Sequence, residues 1–231
     1  MGLGCMNLQP RLFFIITYET YFNLTTLSQK MKQIVACFIK IMYLCKKNRK
    51  TMENKKINVE EIIKNDLHQY LTSIDRVDQH LPEAPDLEQL WAKVGESYLP
   101  DALREFNKYP TVSLGWIMFV GMALAKYWDE DWELYGKVED HYKYLRDRID
   151  FDHMDDYICE KVLLLDEAKH KELSTVVAEC AARTFHLLIH QNLQPGTEEA
   201  FRGFIAALHQ MYLMGIAIEL KDLGYHMTQL A

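Results

Sequence analysis

The chain has 231 residues, 33 acidic and 26 basic, for a net charge of −7, and 49% of it is hydrophobic, enough for one sizeable core. The charge is unevenly spread: residues 1–51 hold eight Lys or Arg against one acid, Glu19, which leaves the remainder strongly acidic. An acidic body excludes nucleic-acid binding through its main surface, because phosphate contacts need clustered Lys and Arg.

Residues 1–51 differ in kind from the rest. Their apolar runs, Leu12–Tyr18 and Ile34–Cys45, are each too short to span a bilayer, and the second contains Lys40. No cleavable signal follows the first run, and Met6 stands where a myristoylation motif needs Ser or Thr. A composition of Phe, Ile, Leu, Tyr, Lys and Asn with hardly any acid is what AT-rich DNA encodes without selection. Lys46-Lys47-Asn48-Arg49-Lys50 suits a purine-rich stretch ahead of a bacterial start codon. The expectation is therefore that 1–51 is a spurious or poorly structured extension from an upstream mis-start, and that the natural protein begins at Met52. An amphipathic membrane-associating leader is the rival reading.

From Asn58 onwards the signals are helical. Asn58 with Glu61 resembles a capping box, and Val59, Ile62, Ile63, Leu67, Tyr70, Leu71, Ile74 and Val77 recur at helical spacing until Leu81-Pro82-Glu83-Ala84-Pro85 stops them. Asp86 with Gln89 opens a second helix through Val94, and Pro100 is expected to start a short third that Pro110 ends. The run 112–125 has no charge. It is too long for a strand and too short for a membrane span, and it is apolar on nearly every side, so a helix over about 112–127, capped by Ser113, should form the buried centre. Gly115 and Gly121 let a neighbouring backbone come close.

Asp129-Glu130-Asp131 marks a bend or a new helix N-terminus, leading into an amphipathic segment from Trp132 to about Arg148. Asp152 with Asp155 should cap the next helix. Two long helices follow, near Asp166–Gln191 and Thr197–Asp222, with Asn192-Leu193-Gln194-Pro195-Gly196 between them and Gly224 at the final cap. With no alternating strand pattern, the fold class is all-α. About seven helices make one compact bundle-like domain over 52–231, with no internal boundary.

Five residues carry a metal reading. Glu167 and His170 match one half of the Glu-x-x-His unit of di-metal bundles, whose second copy is absent. Glu179, His186 and His190 share a stripe with Glu172 and Arg183, the two histidines four apart as a shared metal needs, but without an HExxH motif. The plainer reading is a polar strip facing water. The acids at 129–133 and 139–140 match no calcium loop and suit helix starts instead. Glu219 falls on the apolar face of the last helix. If buried it needs a partner, Arg183 or a neighbouring histidine, although its position near the helix end favours a rim salt bridge.

Trp116, Trp128, Trp132, Met118, Met122, Met211 and Met214 could line a small apolar ligand pocket, yet aromatics and methionines at this spacing are the ordinary content of a core. Gly203 and Ala207 suggest a close helix crossing. Cys159 and Cys180 lie at apolar positions without CxxC partners and read as reduced thiols in a soluble cytoplasmic protein.

No phosphate loop, nucleophile elbow or zinc pattern occurs, so no catalytic residue and no cofactor is assigned, a divalent metal being the alternative. The preferred expectation is a non-catalytic interaction or regulatory module that meets a protein partner or itself. A metal-dependent bundle enzyme and a binder of a small apolar ligand are the other two.

Overall fold

The computed structural model describes residues 59–191 and 193–226. The expectations for 1–51, for a start at Met52 and for an Asn58 cap lie outside the described residues, as does Asn192 of the last turn.

Among the described residues there is no strand, and seven α-helices form: α1 (Val59–Ser73), α2 (Pro85–Phe106), α3 (Pro110–Tyr135), α4 (His141–Arg146), α5 (Met154–Tyr157), α6 (Glu167–His190) and α7 (Glu198–Asp222). The all-α bundle around a buried central helix is what the sequence implies. Ser113, Leu114, Gly115, every residue from Ile117 to Ala125 and Tyr127 are buried in α3.

The partner of α3 is α7, itself apolar on most sides and buried from Ala207 to Tyr212 and from Met214 to Glu219. By length and composition α7 could cross a membrane, but its apolar surface is largely covered by the other helices. The two helices cross at glycines. A Cβ on Gly121 would lie 2.2 Å from the Tyr212 carbonyl oxygen, and one on Gly215 would lie 2.0 Å from that of Met118. Backbone meets backbone there, so neither position has room for a side chain. Gly203 is not at this crossing: a Cβ there would meet the side chains of Leu193, Leu188 and Val59.

Around this pair the other helices take their places by apolar stripes and ion pairs. α1 buries Val59, Ile63, Leu67 and Leu71, one face at helical spacing. It ends at Ser73, well before the expected proline stop, because Asp75 turns to φ 59 and Arg76 N–H reaches back 2.8 Å to the Leu71 carbonyl. α2 runs through Pro100, so the expected short third helix does not exist. Leu87 and Val94 before the proline, and Tyr98, Leu99 and Ala102 around it, are buried on one continuous surface, which offsets the lost backbone hydrogen bond.

Ser113 does not cap α3. The helix starts at Pro110, and the Ser113 hydroxyl donates to the Pro110 carbonyl at 3.0 Å while its own carbonyl accepts from the buried Tyr98 hydroxyl at 2.6 Å. Asp166 and Thr197 cap α6 and α7 as their positions suggest, accepting from Lys169 N–H at 2.9 Å and Ala200 N–H at 3.2 Å. Gly196 and Gly224 take positive φ in the turns.

The bend or new helix start expected at 129–131 forms, but the segment 132–148 is not one helix. Asp131 leaves helical geometry (φ −158, ψ 88), and its carboxylate accepts the Leu134 N–H at 2.9 Å to start one further turn. After a loop, Asp140 caps α4 through Lys143 N–H at 3.0 Å. Nor do Asp152 and Asp155 cap a helix. A 3-10 turn (Phe151–His153), the single turn α5 and a π turn (Ile158–Val162) follow one another without a side-chain cap.

Candidate functional site

The π turn fixes one end of the bundle. A hydrogen bond from Leu165 N–H to the Cys159 carbonyl, 2.9 Å, closes it and forces Leu164 to φ 55 with its side chain 70% exposed. A leucine in the left-handed region is strained, and glycine or asparagine is the usual occupant. π turns recur where a helix is bent to serve a site.

Near the end of α7 Glu219 is buried, only 7% exposed. Burial pushes its carboxyl up to about 8; the charges of Asp222 and Asp129 add to the rise and the Lys126 ammonium opposes it. Arg183 is not its partner. That guanidinium forks onto Asp66 of α1, both contacts 2.9 Å, lies over the Tyr70 ring and keeps Glu179 at 3.9 Å. Glu219 is thus neither the rim salt bridge nor half of a charge pair with Arg183. Glu219 stays buried because α7 packs against α3, while Asp222 further along the same helix is exposed. The Cys159 thiol is pushed up to about 12, mostly by burial, with the charges of Asp155, Asp156, Glu160 and Glu219 contributing.

The metal candidates do not gather. Glu167 and His170 sit at the start of α6, where His170 Nε2 lies 3.6 Å from Asp156. Glu179, His186 and His190 are exposed along the flank of α6, so that stripe faces water. The two imidazoles are tilted against each other with centroids 4.0 Å apart, but His190 Nδ1 is 2.7 Å from the His186 carbonyl and is spent on the backbone. Among the described residues no three His, Cys, Asp or Glu side chains form a group able to hold a metal ion.

The proposed pocket lining is also dispersed. Met118, Met122, Met211 and Met214 are buried core, and Trp116 packs its edge on Phe151 at 4.5 Å. Trp132 is different. Beyond the Asp131 break, Trp132 and Leu134 are each 56% exposed, although both stand on a turn that is firmly held. Tyr135 of the same turn stacks on Tyr127 at 4.4 Å and meets Tyr144 edge-on, and Trp132 meets Trp128 edge-on at 5.0 Å. The Tyr225 hydroxyl donates to Asp129 at 2.8 Å, bringing a further half-exposed ring to this end.

Carboxylates surround these rings: Asp129, Glu130, Asp131 and Glu133, against Lys126, which pairs with Glu130 at 3.7 Å, and Lys137. In the sequence Trp132 reads as core and Leu134 as part of an amphipathic helix. The acids before the break are the one signal that the helix is interrupted there.

Comparison of the chain with protein-family models, with curated proteins and with solved structures finds no match. The fold therefore defines only a class, an all-α bundle built on a glycine-tight pair of helices, and the functional argument rests on the residues themselves.

Proposed function

We propose that this protein is a non-catalytic interaction module, soluble and cytoplasmic, whose working surface is the Trp132–Leu134 turn. The supporting observation is that two large apolar side chains stand exposed on a turn that stacked tyrosines hold in place. Exposed apolar groups gain nothing for the folded monomer, and a preorganised aromatic on an otherwise charged surface is what binding hot spots are made of.

The reactive side chains support the same reading because they serve the scaffold. Arg183 joins α6 to α1 through Asp66. Asp101 accepts from Arg146 Nε at 3.0 Å and from the Tyr142 hydroxyl, joining α2 to α4. Both described thiols are free and buried, each pushed up to about 12, so neither is a thiolate nucleophile near neutral pH. Free buried thiols suit a reducing compartment.

The test is the apparent mass of the protein in native extracts of its own cells. A complex larger than the monomer should be found, and Trp132→Ser with Leu134→Ser should release the monomer while circular dichroism stays unchanged. Monomer mass for the unsubstituted protein, or an assembly indifferent to the double substitution, refutes the reading.

A further inference from the structure

Resting on that reading, we propose that the Trp132–Leu134 turn docks a cationic amphipathic helix of a protein partner, its apolar stripe against Trp132, Leu134 and Tyr225 and its Lys or Arg flank against Asp129, Asp131 and Glu133.

Three observations select this occupant. First, the surface joins exposed apolar groups to a local excess of carboxylate. Between residues 126 and 137 there are four acids and two lysines, and one of those lysines, Lys126, is taken up by Glu130. Asp131 and Glu133 have no ion pair with a described cation. A partner must therefore bring apolar and positive groups together, in the order an amphipathic helix displays along adjacent faces.

Second, the described residues contain no strand, so there is no sheet edge on which an extended peptide could add itself by backbone hydrogen bonds. A helix laid against a helical turn is the mode that remains for a peptide with an apolar stripe. Third, the same acids disfavour two other occupants. A second copy meeting this end symmetrically would oppose its own carboxylates, and an anionic lipid surface would be repelled by them. The anchors are few but already ordered: Trp132 is fixed by Trp128, and its turn by the Tyr127–Tyr135–Tyr144 cluster, so docking costs little side-chain freedom.

The experiment uses the full chain and a fluorescein-labelled Leu/Lys peptide of about 18 residues with helical period. Two comparison peptides accompany it, one with the same residues in scrambled order and one with Glu for Lys. Anisotropy should report saturable binding of the periodic cationic peptide, weakening at least about tenfold between ~50 and ~300 mM salt. Trp132→Ser with Leu134→Ser should abolish it. Asp131→Asn with Glu133→Gln should weaken it severalfold and flatten the salt dependence, with asparagine keeping the cap on Leu134 N–H. Asp152→Asn with Glu199→Gln, on exposed acids outside the turn, should leave it unchanged.

The proposal is overturned if the scrambled or Glu peptide binds as well, if the Trp132/Leu134 variant binds like the unsubstituted chain, or if no peptide binds. Trp132-dependent binding to phosphatidylglycerol vesicles would overturn it in favour of a membrane surface. If the peptides fail while the native complex still depends on Trp132, the partner class is wrong and the interaction reading stands.

Discussion

Replacing Glu219 by Gln should raise stability, and the gain should grow with pH. The side chain is 7% exposed and its carboxyl is pushed from the ordinary 4.5 up to about 8 by burial, Asp222 and Asp129. Its folded pKa lies above its unfolded one, so the folded state keeps a proton that the unfolded chain gives up. The associated stability is complete below about 4.5 and is lost progressively as pH rises to about 8. At ~1.4 kcal/mol per tenfold change, the whole interval corresponds to about 5 kcal/mol, most of it already lost at pH 7. Glutamine cannot ionise, although its amide pays for burial without a strong partner, about 1–3 kcal/mol.

The net expectation for the Gln variant is therefore a gain of about 1–3 kcal/mol at pH 7 and rather more at pH 9, turning to a small loss near pH 4. His141 complicates the absolute curve. Burial lowers it from 6.5 to about 4, and its contribution is lost as pH falls through that window, the opposite slope. Taking the difference between the two proteins cancels His141. Urea unfolding of both from about pH 4.5 to about pH 9 measures that difference. If it does not change with pH, Glu219 is ionised and solvated in the folded state, and the account of this end of the bundle is wrong.

The helix crossing gives a second test: Gly215→Ala should cost about 2–4 kcal/mol or abolish folding, because the new methyl meets the Met118 carbonyl at 2.0 Å. Gly203→Ala, against the flexible Leu193 side chain, should stay within about 1 kcal/mol, both variants being measured by thermal melting. Asp166→Ala and Thr197→Ala each remove one capping acceptor and should each lower stability by about 1 kcal/mol in urea titration. A double-mutant cycle on Asp66 and Arg183 should return a coupling of about 0.5–1 kcal/mol, modest because both side chains remain about a third exposed, and absence of coupling would show the fork to be incidental.

Where one local signal decides the outcome, the sequence was legible. Asp166, Thr197, Gly196 and Gly224 bound α6 and α7 because a cap or a positive φ is chosen by one or two residues. The uncharged run from Val112 to Ala125 could only be interior. Gly121 could be named as a close approach, but its counterpart Gly215 could not, since which glycines meet depends on the crossing of two helices far apart in the chain. Pro100 shows the converse: a strong local signal for a helix start lost to continuous burial on both sides of it. Asp66 and Arg183 are 117 positions apart and neither is unusual where it stands. Glu219 was legible as a conflict, a carboxylate on an apolar face, and illegible in its outcome, because its burial is set by the packing of α7 against α3, a helix far away in the chain.

Some of those conflicts lie close to the exposed turn. The crossing of α3 and α7, the caps of α6 and α7 and the buried stripe of α1 each obey the rule that their residues suggest. Several features that go against a local rule stand near one end: exposed Trp132 and Leu134, Leu164 at positive φ, and buried Glu219, while Gln210 and Tyr212, with buried polar atoms unpaired, lie elsewhere on α7. Tyr225 beyond α7 bonds Asp129 of α3, and the charges of Asp129 and Lys126 act on Glu219. Each departure costs stability on its own, about 1–3 kcal/mol for strain or an unpaired buried group. Marginal folding stability makes each such cost a candidate for a functional explanation. The same end carries the exposed aromatic turn, which is why the interaction reading is assigned there rather than to the flank of α6, where His186 and His190 face water and every local rule is kept.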